Sequence, residues 1–197
     1  MKAFSYVRDI ISFPFTIGPE IGYGAQGQVF EIVEDPTRVI KFSIIYDVKF
    51  GSSLEFIFNK IKTIYNFIKN NPHDNVVKIF EFGELLSSSR VTVDGDQKFI
   101  VYYSIQEKLQ TLSTDEKKVF KTVCDYHNGD LDCKRALKQL LLEQAEWLNF
   151  DCEKVLSFYD SIHKYPIDNC DFRRRNIMKD TFSFKLIDFD LSEIKEI

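Results

Sequence analysis

The alternation of hydrophobic and polar positions changes period several times along the chain. From Thr16 to Tyr46, "TIGPEIGYGAQGQVFEIVEDPTRVIKFSIIY" alternates, and it is rich in β-branched and aromatic residues. It predicts three antiparallel strands, broken at the glycines and at Asp35-Pro36. From Leu54 the spacing becomes helical. Leu54, Ile57, Phe58, Ile61, Ile64, Tyr65 and Ile68 fall on one apolar face, and Asn70, Asn71 and Pro72 end it. Alternation returns in "VVKIFEFGELL" and "KFIVYYSIQEKL", two more strands. The polar stretch between them, "SSSRVTVDGDQ", reads as a connection with a hairpin turn at Asp94-Gly95. The first half therefore reads β-β-β-α-β-β.

The second half is helical. Ser113 and Glu116 have the spacing of a capping box ahead of "KKVFKTVCDYH", and Gly129 suits its close. Leu137, Leu140, Leu141, Ala145 and Leu148 form the stripe of the next helix. Val155, Leu156, Tyr159 and Ile162 mark a short one that stops near Pro166. "NIMKDTFSFKLIDFD" then reads as a β-hairpin. A β-rich front and an α-rich back define a two-lobed α+β protein, with lobes over residues 1–107 and 108–197 and a cleft near residues 106 to 110.

Composition fits this picture. The 197 residues are 44% apolar and 28% charged, and 19 are Phe, which favours aromatic-rich packing over disorder. A net charge of -4 argues against a general binder of nucleic acid or of membrane surfaces. No apolar run approaches membrane-spanning length, and "MKAFSYVRDIISFPF" lacks the unbroken apolar stretch of a signal peptide. Cys124, Cys133, Cys152 and Cys170 are scattered without a C-x-x-C pair, as free thiols of a reducing cytoplasm would be.

Three clusters carry chemistry. Gly22, Gly24 and Gly27 spell G-x-G-x-x-G, but a strand follows, not a helix; this disfavours a dinucleotide fold and favours a hairpin lid over a nucleotide. Lys41 lies inside the apolar strand "RVIKFS", where a charge needs a partner or a route to solvent. Glu55 is the one acid the following helix offers it, in competition with a Ser52–Glu55 capping box. Near the end, Asp171, Asn176 and Asp188 supply a carboxylate for an attacking hydroxyl and two hard oxygen ligands of the kind Mg2+ takes in phosphoryl transfer.

Taken together, these residues resemble the protein-kinase family, in order and spacing from about residue 18 onward. The glycines match the glycine-rich loop, and Val39-Ile40-Lys41 matches the strand of the phosphate-binding lysine. Glu55 matches the acid of the first large helix, and "IQEKL" the hinge with Gln106 as gatekeeper. Asp171 and Asn176 match the catalytic loop, and Asp188-Phe189 the metal-binding motif. The resemblance implies ATP and Mg2+ as cofactors. It implies Asp171 orienting the acceptor hydroxyl, Lys41 on the phosphates, and Asn176 and Asp188 on Mg2+. It also implies Glu107 and Leu109 pairing with the adenine edge, Val29, Val39 and Met178 sandwiching the ring, and Arg173 near the transferred phosphate.

The departures shape the expectation. Asn169-Cys170 stands where the family has His-Arg, Asp190 replaces the glycine of Asp-Phe-Gly, and the chain ends nine residues after Asp188. The expectation is a minimal Ser/Thr protein kinase with a truncated helical lobe and no activation segment, similar to a small virus-encoded kinase in a host cytoplasm. Its partner would be a protein substrate. Two rivals stay open: a kinase mimic that binds and regulates a host kinase or its substrate, and a small-molecule kinase. Apolar surface at the end of the back lobe, if another chain covers it, would make a homo-oligomer.

Overall fold

The computed structural model describes residues 12–24, 27–47, 53–92, 95–127, 134–148, 151–168, 172–189 and 193–194. They divide into two compact units. The first holds the residues up to Asn71 together with Lys78–Lys108; the second holds Pro72–Val77 and the residues from Leu109 on.

The first unit is a five-stranded antiparallel sheet in the order β1-β2-β3-β5-β4. The strands are β1 (Ile17–Tyr23), β2 (Gly27–Ile32), β3 (Arg38–Tyr46), β4 (Ile79–Thr92) and β5 (Gly95–Glu107). Side-chain alternation gives the sheet two faces. One carries Phe30, Ile32, Ile40, Phe42, Ile44, Val101 and Ile105, with Phe13 and Phe15 packed against them. The Phe13 ring lies 5.2 Å from Phe15 and 5.3 Å from Tyr103. The other face receives α1 (Leu54–Asn70), whose Phe58 and Tyr65 stack on Phe82 at 6.0 and 4.8 Å. Offset and tilted ring pairs of this kind add about 1 kcal/mol each to the burial of their surface.

Both ends of α1 are capped. Ser53 accepts a hydrogen bond from Phe56 N–H at 3.2 Å, and Asn71 N–H donates to the Phe67 carbonyl at 2.9 Å. Because Ser53 is the N-cap, the third helical residue is Phe56, so Glu55 is not the reciprocal partner a Ser52 capping box would need; Ser52 itself lies outside the described residues.

The β4–β5 hairpin runs farther than its apolar alternation. Ser87–Ser89 pair with Ile100, Phe99 and Lys98, and Thr92 pairs with Gly95, so Gly95 belongs to the strand and not to the turn expected at Asp94-Gly95. Ladder hydrogen bonds are made by the backbone, so a polar stretch extends a hairpin without an apolar pattern.

Among its described residues the second unit contains three α-helices: α2 (Thr114–His127), α3 (Lys134–Leu148) and α4 (Cys152–Lys164). The capping box at the start of α2 forms as its spacing implies. Ser113 N–H donates to Glu116 Oε2 at 2.7 Å, and Glu116 N–H donates to Ser113 Oγ at 3.2 Å. Gly129, expected to close this helix, lies outside the described residues. Short strands β6 (Gln110–Thr111), β8 (Ile177–Lys179) and β9 (Phe184–Leu186) form one sheet; β7 (Ile167–Asp168) pairs with β10 (Glu193–Ile194). The core is aromatic, with Phe120 packed 4.7 Å from Phe184 and 5.5 Å from Phe158. Residues 72–77 belong here because Leu186 N–H donates to the Asn75 carbonyl and Val77 N–H to the Leu186 carbonyl, each at 2.9 Å. Among the described residues no helix is long and apolar enough to cross a membrane.

The β8–β9 turn is tied by Asp180. Its Oδ1 accepts from the amides of Phe182 (2.7 Å) and Ser183 (2.6 Å), and Lys185 Nζ lies 3.3 Å from Oδ2. Burial alone would raise its pKa, but the two amides and the ammonium outweigh that and hold the carboxyl below its ordinary value of 3.8. A depressed carboxylate stabilises the fold fully above its unfolded value and loses that contribution as pH falls through the folded one. Asp180→Ala is therefore expected to lower stability by about 1–2 kcal/mol in urea unfolding at neutral pH. The gap from wild type should close as the pH falls below 3.8.

Candidate functional site

In the first unit the glycine-rich segment forms the β1–β2 hairpin. Gly24 N–H donates to the Gly27 carbonyl at 2.8 Å, and Tyr23 pairs with Gln28 and Gly22 with Val29. Buried Gln28 straps the hairpin by donating from Nε2 to Glu20 Oε2 at 2.6 Å. The glycines differ in kind. A Cβ on Gly27 would stand 2.7 Å from the Phe42 carbonyl oxygen, a contact that backbone cannot relieve cheaply. A Cβ on Gly24 would meet nothing within 4 Å, so its backbone is open on that side.

The register places the next group directly beside this hairpin. Lys41 stands on β3 between Val29 of β2 and Ser104 of β5; Val39, one step along the same face, stands opposite Gln106. Lys41 is half-buried, whereas its neighbours Ile40 and Phe42, on the opposite face, are 0% exposed. Gln106 is buried and donates from Nε2 to Ser104 Oγ at 2.7 Å. The residues after it are pinned as well. Glu107 N–H donates to the Lys78 carbonyl (3.1 Å), its Oε1 accepts from Lys78 N–H (2.7 Å), and Lys108 N–H donates to the Thr37 carbonyl (2.8 Å). Glu55 is exposed in the first turn of α1, where a carboxylate favours the helix N-terminus; among the described residues it forms no ion pair with Lys41.

In the second unit the candidate ligands come from a 3-10 turn, Arg174–Asn176, and from the irregular segment that follows β9. Asn176 N–H closes the turn on the Arg173 carbonyl at 2.8 Å, and Ile187 N–H donates to the Asn176 carbonyl at 2.9 Å. Asn176 is thereby fixed beside the residue that precedes Asp188. Asn176 is 4% exposed, Asp188 is half-buried, and Phe189 behind it is buried. A buried amide and a carboxylate offer two hard oxygens, the small donor set that Mg2+ takes alongside phosphates. Among the described residues no three His, Cys, Asp or Glu side chains gather to hold a metal by themselves.

Phe172, 2% exposed, anchors the start of this segment, and Arg173, Arg174 and Arg175 are exposed. Met178 and Leu109 are half-buried, and Met178 pairs with Lys185 and Thr111 across its small sheet. Asp171 lies outside the described residues, as do Asn169, Cys170 and Asp190. Sequence reasoning missed Ser104. Its signal was its position two residues before Gln106 on one strand, which puts both side chains on one face.

A glycine hairpin beside a lysine-bearing strand in one unit, and an Asn–Asp pair on a helical unit, define a protein-kinase-like α+β fold. The solved structure titled "ROP18 kinase domain in complex with AMP-PNP and sucrose" is similar, with a TM-score of 0.52 at 13% sequence identity, over 91% of this chain and 52% of that one. The chain thus spans about half the length of that structure. No family model and no curated protein matches the sequence.

The two glycines give a contrast. Gly27→Ala should destabilise the protein by about 1–3 kcal/mol, because the β2–β3 approach must open. Gly24→Ala should cost less than about 1 kcal/mol. Urea midpoints of the two variants, measured side by side, check the order.

Proposed function

We propose that the chain is an ATP- and Mg2+-dependent phosphotransferase, a protein kinase that acts on Ser or Thr of a protein substrate. The observation that carries the reading is the register around Lys41. The glycine hairpin's Val29 and the gatekeeper's neighbour Ser104 flank one half-buried ammonium on a single sheet face. Such a face suits a nucleotide, with apolar Val29 and Val39 against a base and Lys41 against phosphate oxygens. The AMP-PNP of the similar solved structure supports a nucleotide ligand. Because Glu107 N–H is already given to Lys78, a hydrogen bond from this residue to the adenine edge would come through its carbonyl, with Leu109 as the second backbone partner.

In the second unit Asn176 and Asp188 would hold Mg2+, which neutralises charge on the phosphates when bound. Asp171 would accept the proton of the substrate hydroxyl as its oxygen bonds to the γ-phosphorus and the β–γ bridging P–O bond breaks, leaving ADP. Arg173 would stabilise the transferred group.

A second reading keeps the nucleotide and drops turnover: a kinase mimic that binds a host kinase or its substrate. One observation favours it: Glu55, the acid that the family resemblance implied beside Lys41, is exposed in the first turn of α1.

Radiolabelled phosphate transfer to a protein acceptor such as casein or to the chain itself separates the two. Transfer by wild type that falls roughly a hundredfold or more in Asp171→Ala and in Lys41→Met is the expected result. Equal incorporation by wild type and Asp171→Ala would remove the catalytic reading and leave the mimic.

A further inference from the structure

The three histidines of the chain all lie in the second unit, and two of them face each other. His127 is the last residue of α2 and His163 sits in the last turn of α4; His127 Nδ1 and His163 Nε2 are 3.1 Å apart. We propose that this pair is a bidentate site for a borderline divalent transition metal, of the Zn2+ or Ni2+ class, which braces the ends of the two helices. The site is separate from the Mg2+ pair and stands whether or not the chain transfers phosphate.

Four observations converge. First, His163 Nδ1 lies 2.7 Å from the Tyr159 carbonyl oxygen, which can only accept, so Nδ1 carries the proton and the lone pair is on Nε2, toward His127. A histidine oriented through its far nitrogen by a backbone carbonyl is the usual outer-shell arrangement of metal-binding imidazoles. Second, two nitrogens at about 2.0–2.1 Å from one Zn2+ stand roughly 3.0–3.4 Å apart, the separation already present. Third, the ring centroids are 5.1 Å apart with planes at 62°. Collinear rings would stand farther apart, so these are bent off the N···N line, as two ligands of one ion must be. Fourth, both residues lie at helix C-termini, whose carbonyl ends favour a cation, and His163 is exposed, so an ion can enter from solvent.

Without metal, His127 donates Nδ1–H to His163 Nε2. Binding moves that proton to His127 Nε2, so both lone pairs meet the ion and no charge is lost. Among the described residues no third His, Cys, Asp or Glu completes a metal cluster. Imidazole selects borderline metals over hard Mg2+. The brace reaches the segment that follows Asp171, because Phe172 packs 4.7 Å from the His127 ring and 6.3 Å from that of His163.

The test is a thermal melt of the full chain, stripped with EDTA, with and without about 100 μM Ni2+ or Zn2+, and with Mg2+ as control. For a micromolar site the expected rise is roughly 5–11 °C with Ni2+ or Zn2+, reversed by EDTA, and none with Mg2+. His163→Ala and His127→Gln, each read against its own metal-free melt, should lose the rise, and His73→Ala should keep it. No rise in wild type, or the same rise in both pair variants, would overturn the site and leave a plain N–H···N bond.

Discussion

The structure depends on one constraint: a charged side chain on a strand whose other face is buried in an apolar cluster. Ile40 and Phe42 are wholly excluded from solvent on one side of β3, and Lys41 between them points to the other. A slip of one residue would drive the ammonium into the aromatic cluster and expose Phe42, at a cost of several kcal/mol for the unpaired charge alone. The register of β3 is thus locked from both faces, and its neighbours inherit it. Val29 and Ser104 fall beside Lys41, and Val39 falls beside Gln106, because β2 and β5 have no freedom to pair otherwise. The Phe13 and Phe15 rings, which cover the apolar face, hold the arrangement from outside.

The helical unit solves a different problem, how to position an amide and a carboxylate on short strands. Three residues each of β8 and β9 could not hold a register alone. They are supported on one flank by residues 75–77, through backbone bonds to Leu186, and at the turn by Asp180. Beneath them Phe184 packs into the Phe120–Phe158 cluster. The bond between Asn176 and Ile187 then carries this rigidity to the candidate ligands.

Much of this was legible in the sequence, for reasons that differ by element. The alternation around Lys41 and the seven-residue apolar face of α1 are signals of burial, so they gave the sheet strands and the helix directly. The Ser113–Glu116 box was legible because its chemistry is local. The extent of β4 and β5 was not, since Ser87–Ser89 pair through backbone alone. The N-cap at Ser53 displaced Ser52 because adjacent serines offer the same hydroxyl and only the helix phase chooses between them. That phase also put Glu55 in the exposed first turn, which no spacing rule disclosed. The strands β6, β7 and β10 are two residues long, too short for any period to show. The His127–His163 pair joins residues 36 apart on two helices, beyond the reach of local pattern.

The proposed function needs a nucleotide held by Lys41 and Mg2+ held by Asn176 and Asp188. Calorimetric titration of the chain with ATP, with and without Mg2+, tests it most directly. The account predicts saturable binding at one site that requires Mg2+ and weakens about tenfold or more in both Lys41→Met and Asp188→Ala, a loss on the order of 1.4 kcal/mol. Absence of binding, or binding indifferent to Mg2+ and to both substitutions, would contradict it.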